Sequence, residues 1–121
     1  MARYLTRNPN VAKSNTQVGA ADNVPVQFYE GTYTATGAAE WVVLPDAGTV
    51  GVTLSGTGAW VATVEATDSP PDIVEAGTAV TYAWPLGTLT ATTGATTLTG
   101  ATAVRANVTT VGTNVKLTVR A

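Results

Sequence analysis

The stretches Val104-Arg105-Ala106-Asn107-Val108 and Val115-Lys116-Leu117-Thr118-Val119-Arg120 decide the fold class. In each, every second residue is aliphatic and the residues between are polar or charged. Successive side chains of a strand leave on opposite faces, so a period of two marks a strand with one buried side. The linker 109–113 carries Gly112, and its length predicts that the two strands form a hairpin. The same alternation recurs upstream. Val50, Val52 and Leu54 alternate with Gly51 and Thr53, and Trp60, Ala62, Val64 and Ala66 share one face of 60–66. Val80, Tyr82 and Trp84 alternate with Thr81 and Ala83 until Pro85 ends the run.

Working outward, residues 24–30 read as a first strand, with Pro25 suited to a strand start or an edge. Residues 32–36 continue it past Gly31. Residues 40–44 form a short strand closed by the turn Pro45-Asp46-Ala47-Gly48. Residues 86–98 are Thr-rich and broken by Gly87 and Gly94, which predicts short strands. Residues 67–77, with Pro70-Pro71 and three acids, form the long loop and hold at most one helical turn. About eight short strands with turn signals every 8–12 residues predict an all-β fold, an antiparallel β-sandwich. Immunoglobulin-like and jelly-roll topologies both fit. Residues 1–23 lack periodicity and read as an extended N-terminal arm, leaving 24–121 as the sandwich domain.

Composition agrees. Thr, Ala, Val and Gly supply more than half of the 121 residues, and helix formers other than Ala are few. Hydrophobic residues make up 45% but charged residues only 12%, about half the usual share. A surface so poor in charge suits a chain whose faces are covered in an assembly. The chain has no cysteine and no histidine. That removes disulfides, thiolate nucleophiles and the commonest general base and metal ligand. The sequence therefore offers no catalytic set, no metal set and no cofactor motif, and a non-enzyme is expected. No signal-like leader and no apolar run of about 20 residues is present, so a soluble protein without membrane contact is expected.

Charge is segregated. Arg3, Arg7 and Lys13 precede eight acids lying between Asp22 and Glu75, and Arg105, Lys116 and Arg120 close the chain. Six basic residues split between the ends are too few for a nucleic-acid surface. The basic arm instead suits an acidic neighbouring protein surface. The partner-binding residues expected here are Arg3, Tyr4, Leu5, Arg7 and Lys13, with Tyr4 and Leu5 in an apolar pocket and the arginines on carboxylates. Asp68, Asp72 and Glu75 could form a Ca²⁺ or acid–base set, but their spacing fits a solvated loop better. Trp41, Trp60 and Trp84 with Tyr29, Tyr33 and Tyr82 could form a sugar-stacking platform, but packing is the better reading of residues inside strands.

The segment Gly58-Ala59-Trp60-Val61-Ala62-Thr63-Val64-Glu65-Ala66-Thr67-Asp68 resembles a strand motif of small β-sandwich domains in tailed-bacteriophage virion proteins. The ending from Val104 to Ala121 is similar to the closing hairpin of those domains, and the likeness spans roughly residues 49–121. Members follow the Trp strand with an Asp-Gly turn and another Trp, where this chain has Ser69-Pro70-Pro71-Asp72. The resemblance implies a virion structural role, as such domains occur in decoration proteins, fibres and tail components. The expectation is a capsid decoration protein, made in the host cytoplasm and carried on the capsid surface. Its partners would be the major capsid protein and copies of itself, with a trimer as one candidate. A fibre-tip module that binds host glycans and a tail-tube or head-completion protein are the alternatives.

Overall fold

The computed structural model describes residues 3–4, 6–7, 27–44 and 49–120, and the backbone alone for 3–4, 6–7 and 27–28. Two antiparallel sheets pack face to face, so the expected all-β sandwich is what forms. Along the first sheet run β1 (Arg3–Tyr4), β5 (Val42–Val43), β11 (Ala103–Thr110), β7 (Val61–Thr67) and β8 (Thr81–Ala83). Two short strands join it, β4 (Gly37–Ala38) on β11 and β9 (Leu89–Thr90) on β7. Along the second run β10 (Gly94–Thr99), β6 (Thr49–Thr57), β12 (Asn114–Arg120), β3 (Gln27–Tyr33) and β2 (Thr6–Arg7). Helix α1 (Pro71–Ala76) lies in the connection from β7 to β8. Pro71 stands in its first turn, where a missing N–H costs nothing, and Gly77 ends it in the left-handed conformation.

Four of the five alternating stretches point where the sequence placed them. Val50, Val52 and Leu54 from β6 meet Val115, Leu117 and Val119 from β12, all buried. Opposite them stand Ala62, Val64 and Ala66 from β7 and Val104, Ala106 and Val108 from β11. Small alanines on one sheet leave room for Leu54, Leu117, Trp60 and Trp84 between the layers, the complementarity that close packing requires. Fully burying each of the larger aliphatic side chains stabilises by about 1.5–3 kcal/mol. Trp41 to Leu44 is buried at four consecutive positions. Val42 and Leu44 face the core between the sheets, while Trp41 and Val43 join Val74 of α1 and Ala103 on the other side. The helix thus covers part of the first sheet's outer face.

Two expectations need correction. The last two strands do not form a hairpin: β11 pairs with β7 and β5 in the first sheet, and β12 with β6 and β3 in the second. The alternation fixes which face is buried, but two buried faces can meet across a core as well as lie side by side. Here residues 111–113 form an arch between layers, and it stacks on the arch joining β6 to β7. The Thr113 amide donates to the Thr57 carbonyl at 2.8 Å. Gly58 and Gly112 both take positive φ, and a Cβ on Gly112 would lie 2.8 Å from the Ala59 nitrogen. Only glycine permits both the conformation and that approach. The same finding removes the hairpin from the resemblance. Second, Val80 and Tyr82 are not core residues. Val80 is 77% exposed and Tyr82 42%, because β8 is the sheet's edge strand; only Trp84, just past the strand's end, joins the core cluster.

Candidate interaction surface

Three outward features could meet a partner. The first is the outer face of the second sheet. Because Val50, Val52, Leu54 and Leu98 turn inward, Thr49, Gly51, Thr53 and Ser55 of β6 and Ala95, Thr97 and Thr99 of β10 turn outward. The register sets Thr53 beside Ala95, Gly51 beside Thr97, and Thr49 beside Thr99. The Thr49 and Thr99 hydroxyls lie 3.1 Å apart. This part of the face is small, polar and uncharged. Charge enters only toward β12 and β3, where Lys116 Nζ approaches Glu30 Oε1 at 3.7 Å in an exposed pair. Such a pair contributes about 0–1 kcal/mol.

A second feature is a polar array on the outer face of the first sheet. Arg105 Nε donates to Glu65 Oε1 at 2.7 Å, across the β11–β7 pairing that places them opposite. Asn107 Nδ2 donates to the other carboxylate oxygen at 3.2 Å. The Arg105 guanidinium lies 4.3 Å from the centre of the Trp41 ring, a cation–π contact. Arg105 and Trp41 floor a shallow cleft of about 290 Å³ that Glu40, Val74, Glu75 and Gly77 help to line.

Third comes the β8 edge. Val80 and Tyr82, with Asp68 and Ser69, line an open hollow. The Tyr82 hydroxyl donates to Asp68 Oδ1 at 2.9 Å. Partial burial, then that hydrogen bond and the carboxylate charge, push the Tyr82 pKa above its usual value of 10.0. Thr67 holds the base of this edge together, fully buried. Its hydroxyl donates to the Val80 carbonyl at 2.7 Å and accepts from the Ser69 amide at 3.0 Å.

Comparison of the chain with family models, with curated proteins and with solved structures finds no match.

The residues expected to bind a partner fall at the margin of the described chain. Arg3–Tyr4 pairs in parallel with Val42–Val43 in the first sheet, and Thr6–Arg7 pairs with Phe28 and Gln27 in the second. The backbone of Arg3, Tyr4 and Arg7 is thus built into the sandwich edge. Their side chains, all of Leu5 and Lys13, and residues 8–26 lie outside the described residues. The three acids of the long loop do not converge: Asp68 is held by Tyr82, and Asp72 and Glu75 sit on α1. Among the described residues no three such side chains could hold a metal together. All three tryptophans are buried, at 7% exposure or less, so they pack rather than form a sugar platform. The Glu65–Arg105–Asn107 array and the neutral Thr face went unread in the sequence. The signal for the second was present in the uncharged residues between Val50, Val52 and Leu54.

Proposed function

We propose that this chain is a structural binding module whose faces are covered by neighbouring protein subunits, and specifically a decoration protein of a tailed-phage capsid. The observation that carries the reading is the β6–β10 part of the second sheet's outer face, which Lys116 and Arg120 of β12 border. A face built from Thr49, Gly51, Thr53, Ser55, Ala95, Thr97 and Thr99 has no charge to desolvate on burial, and β-branched hydroxyl residues lose little side-chain entropy there. Such a face docks a flat protein surface more readily than a small ligand, which needs a concave pocket with convergent polar groups. The virion setting rests on the resemblance of 58–68 and on the basic residues Arg3, Arg7 and Lys13 at the start of the chain. Binding to the assembled shell but not to free subunits would stabilise the shell by mass action, and many copies would act together.

The test is cosedimentation with empty shells assembled from the major capsid protein encoded with this chain. The wild-type protein is expected to pellet with shells and to raise their disassembly temperature. Thr53→Arg, placed at the centre of the neutral face, is expected to stay folded and remain in the supernatant. A wild-type protein that never pellets with shells would end the decoration reading. A Thr53→Arg variant that binds as well as the wild type would move the contact off this face.

A further inference from the structure

Among the described residues, one border of the sandwich is finished and the other is not. On the finished side, β1 and β2 are consecutive and add to opposite sheets, so a single segment borders both layers. On the other side the first sheet ends in β8 and the second in β10. Natural edge strands are blunted by brevity, proline, lysine or a bulge, because their free N–H and C=O groups recruit other strands. Strand β8 is three residues long and is followed closely by Pro85. Strand β10 has none of these devices. Its six residues, Gly94–Thr99, pair with β6 in an unbroken register from Gly94 opposite Leu54 to Thr99 opposite Thr49. They include no charge and no proline, and among the described residues no strand pairs with the far side of β10. Every second residue of an antiparallel strand turns both backbone polar groups away from its partner, so this border offers a row of donors and acceptors.

The charge pattern selects the occupant. No Asp, Glu, Lys or Arg occurs between Glu75 and Arg105, a span that contains β8, β9 and β10. A charged peptide would find nothing there to steer or select it. A second copy of the same edge finds itself complementary. A two-fold axis through Thr97 sets Thr97 beside its own copy and Ala95 beside Thr99 on the outer face, and Thr96 beside Leu98 on the inner face. Each pair is uncharged and keeps inward residues inward, as a continuous sheet demands. An isologous contact of this kind closes on itself and stops at two copies.

We propose that β10 is a homotypic pairing edge, at which two copies of this chain join antiparallel and merge their second sheets into one. The inference takes up the reading of the chain as an assembly module and names one contact of that module. The neutral Thr face then continues across the two-fold, doubling the surface available to a shell.

The experiment uses the full chain in solution, with mass measured by light scattering across a concentration series. The wild type is expected to be a dimer that dissociates on dilution. Thr97 is exposed, so Thr97→Lys and Thr97→Glu should fold normally, which circular dichroism verifies. Each alone puts like charges face to face on the axis and is expected to be monomeric. An equimolar mixture is expected to recover the dimer, because lysine then faces glutamate. A monomeric wild type overturns the proposal, and so does a trimer, or a Thr97→Lys protein that remains dimeric. A monomer whose β10 amides facing away from β6 are nonetheless slow to exchange would also overturn it, because the edge would then be covered within one chain. Shell cosedimentation of the wild-type protein, set beside its solution mass, separates the two readings, because Thr97 also lies on the neutral face and its variants test the edge alone. Binding without dimerisation would leave the decoration role standing alone, and dimerisation without shell binding would leave only the edge.

Discussion

Two glycines of the same strand show how local contacts decide what a residue can be. A Cβ on Gly56 would lie 2.7 Å from Trp60 Cδ1 and would strike the Asn114 carbonyl, whereas one on Gly51 would meet nothing nearer than 3.8 Å. Trp60 is 1% exposed and cannot swing out without opening the core. Gly56→Ala is therefore expected to destabilise by about 1–3 kcal/mol, as overpacked cores do. Gly51→Ala is expected to be neutral or to stabilise by up to about 1 kcal/mol, because it removes freedom from the unfolded chain. Paired urea titrations measure both, and equal costs would show that Trp60 does not set the limit. Glu65 gives a second residue-scale expectation. It holds Arg105 and Asn107 at once, with the Arg105 and Glu65 side chains only 24% and 21% exposed. Glu65→Ala strands both donors and should cost about 1.5–3 kcal/mol, the range for hydrogen bonds to a charged group. The pH dependence of Tyr82 follows from its raised pKa. Folding holds the proton more tightly than the unfolded chain does. The stabilisation is present in full below about pH 10 and is lost as pH rises through the folded value. The tyrosinate absorbance lost in Tyr82→Phe is expected to have a midpoint above 10, and Asp68→Ala should lower that midpoint by removing both the acceptor and its charge.

At the scale of elements, the strands were legible and their partners were not. Val50 to Leu54, Trp60 to Ala66, Val104 to Val108 and Val115 to Val119 each announce a buried face through side chains two residues apart. Nothing in that pattern says which sheet a strand joins. That is why the 109–113 linker reads as a hairpin in sequence while 111–113 form an arch in the fold. Val80 and Tyr82 alternate as well as any core pair, yet lie exposed because coverage depends on what the other layer places opposite. The Glu65–Arg105 contact was hidden for the same reason: 40 residues separate them, and only the β7–β11 register makes them neighbours. The reading of 67–77 as a loop with one turn of helix was close, since Pro70-Pro71 both stiffens the loop and starts α1. That helix has no side-chain hydrogen bond at its N-cap, and Val74 is its one buried residue. Its docking therefore rests on Val74 against Trp41, Val43 and Ala103. Val74→Asp is expected to undock α1 and leave the sandwich folded. Hydrogen exchange would show the amides of 71–76 losing protection while those of β7 and β11 keep theirs. Loss of protection throughout would mean that α1 is integral to the core instead of laid upon it.

For the molecule as a whole, the contrast between its two borders decides how it ages, associates and responds to truncation. The first seven residues contribute a pair to each sheet, Arg3–Tyr4 on Val42–Val43 and Thr6–Arg7 on Phe28 and Gln27. Removing residues 1–7 therefore withdraws one short ladder from each layer and uncovers β5 and β3. In a domain of this size each kcal/mol lost at the transition lowers Tm by roughly 4 °C or more. The truncated chain should melt several degrees lower, and the uncovered borders should make it associate beyond the dimer. Calorimetry and light scattering on the same sample check both effects. Truncation alone cannot separate the backbone role of this segment from the partner contacts expected of its side chains. The double variant Arg3→Ala, Arg7→Ala does so, because alanine keeps every main-chain hydrogen bond. If the arginines meet acidic groups on a shell, that variant should keep the wild-type Tm and lose shell binding, and wild-type binding should weaken with added salt. The β10 dimer carries no charge at its axis and should be indifferent to salt over the same range. A shell affinity that ignores both the arginines and the salt would place the contact entirely on the neutral Thr face.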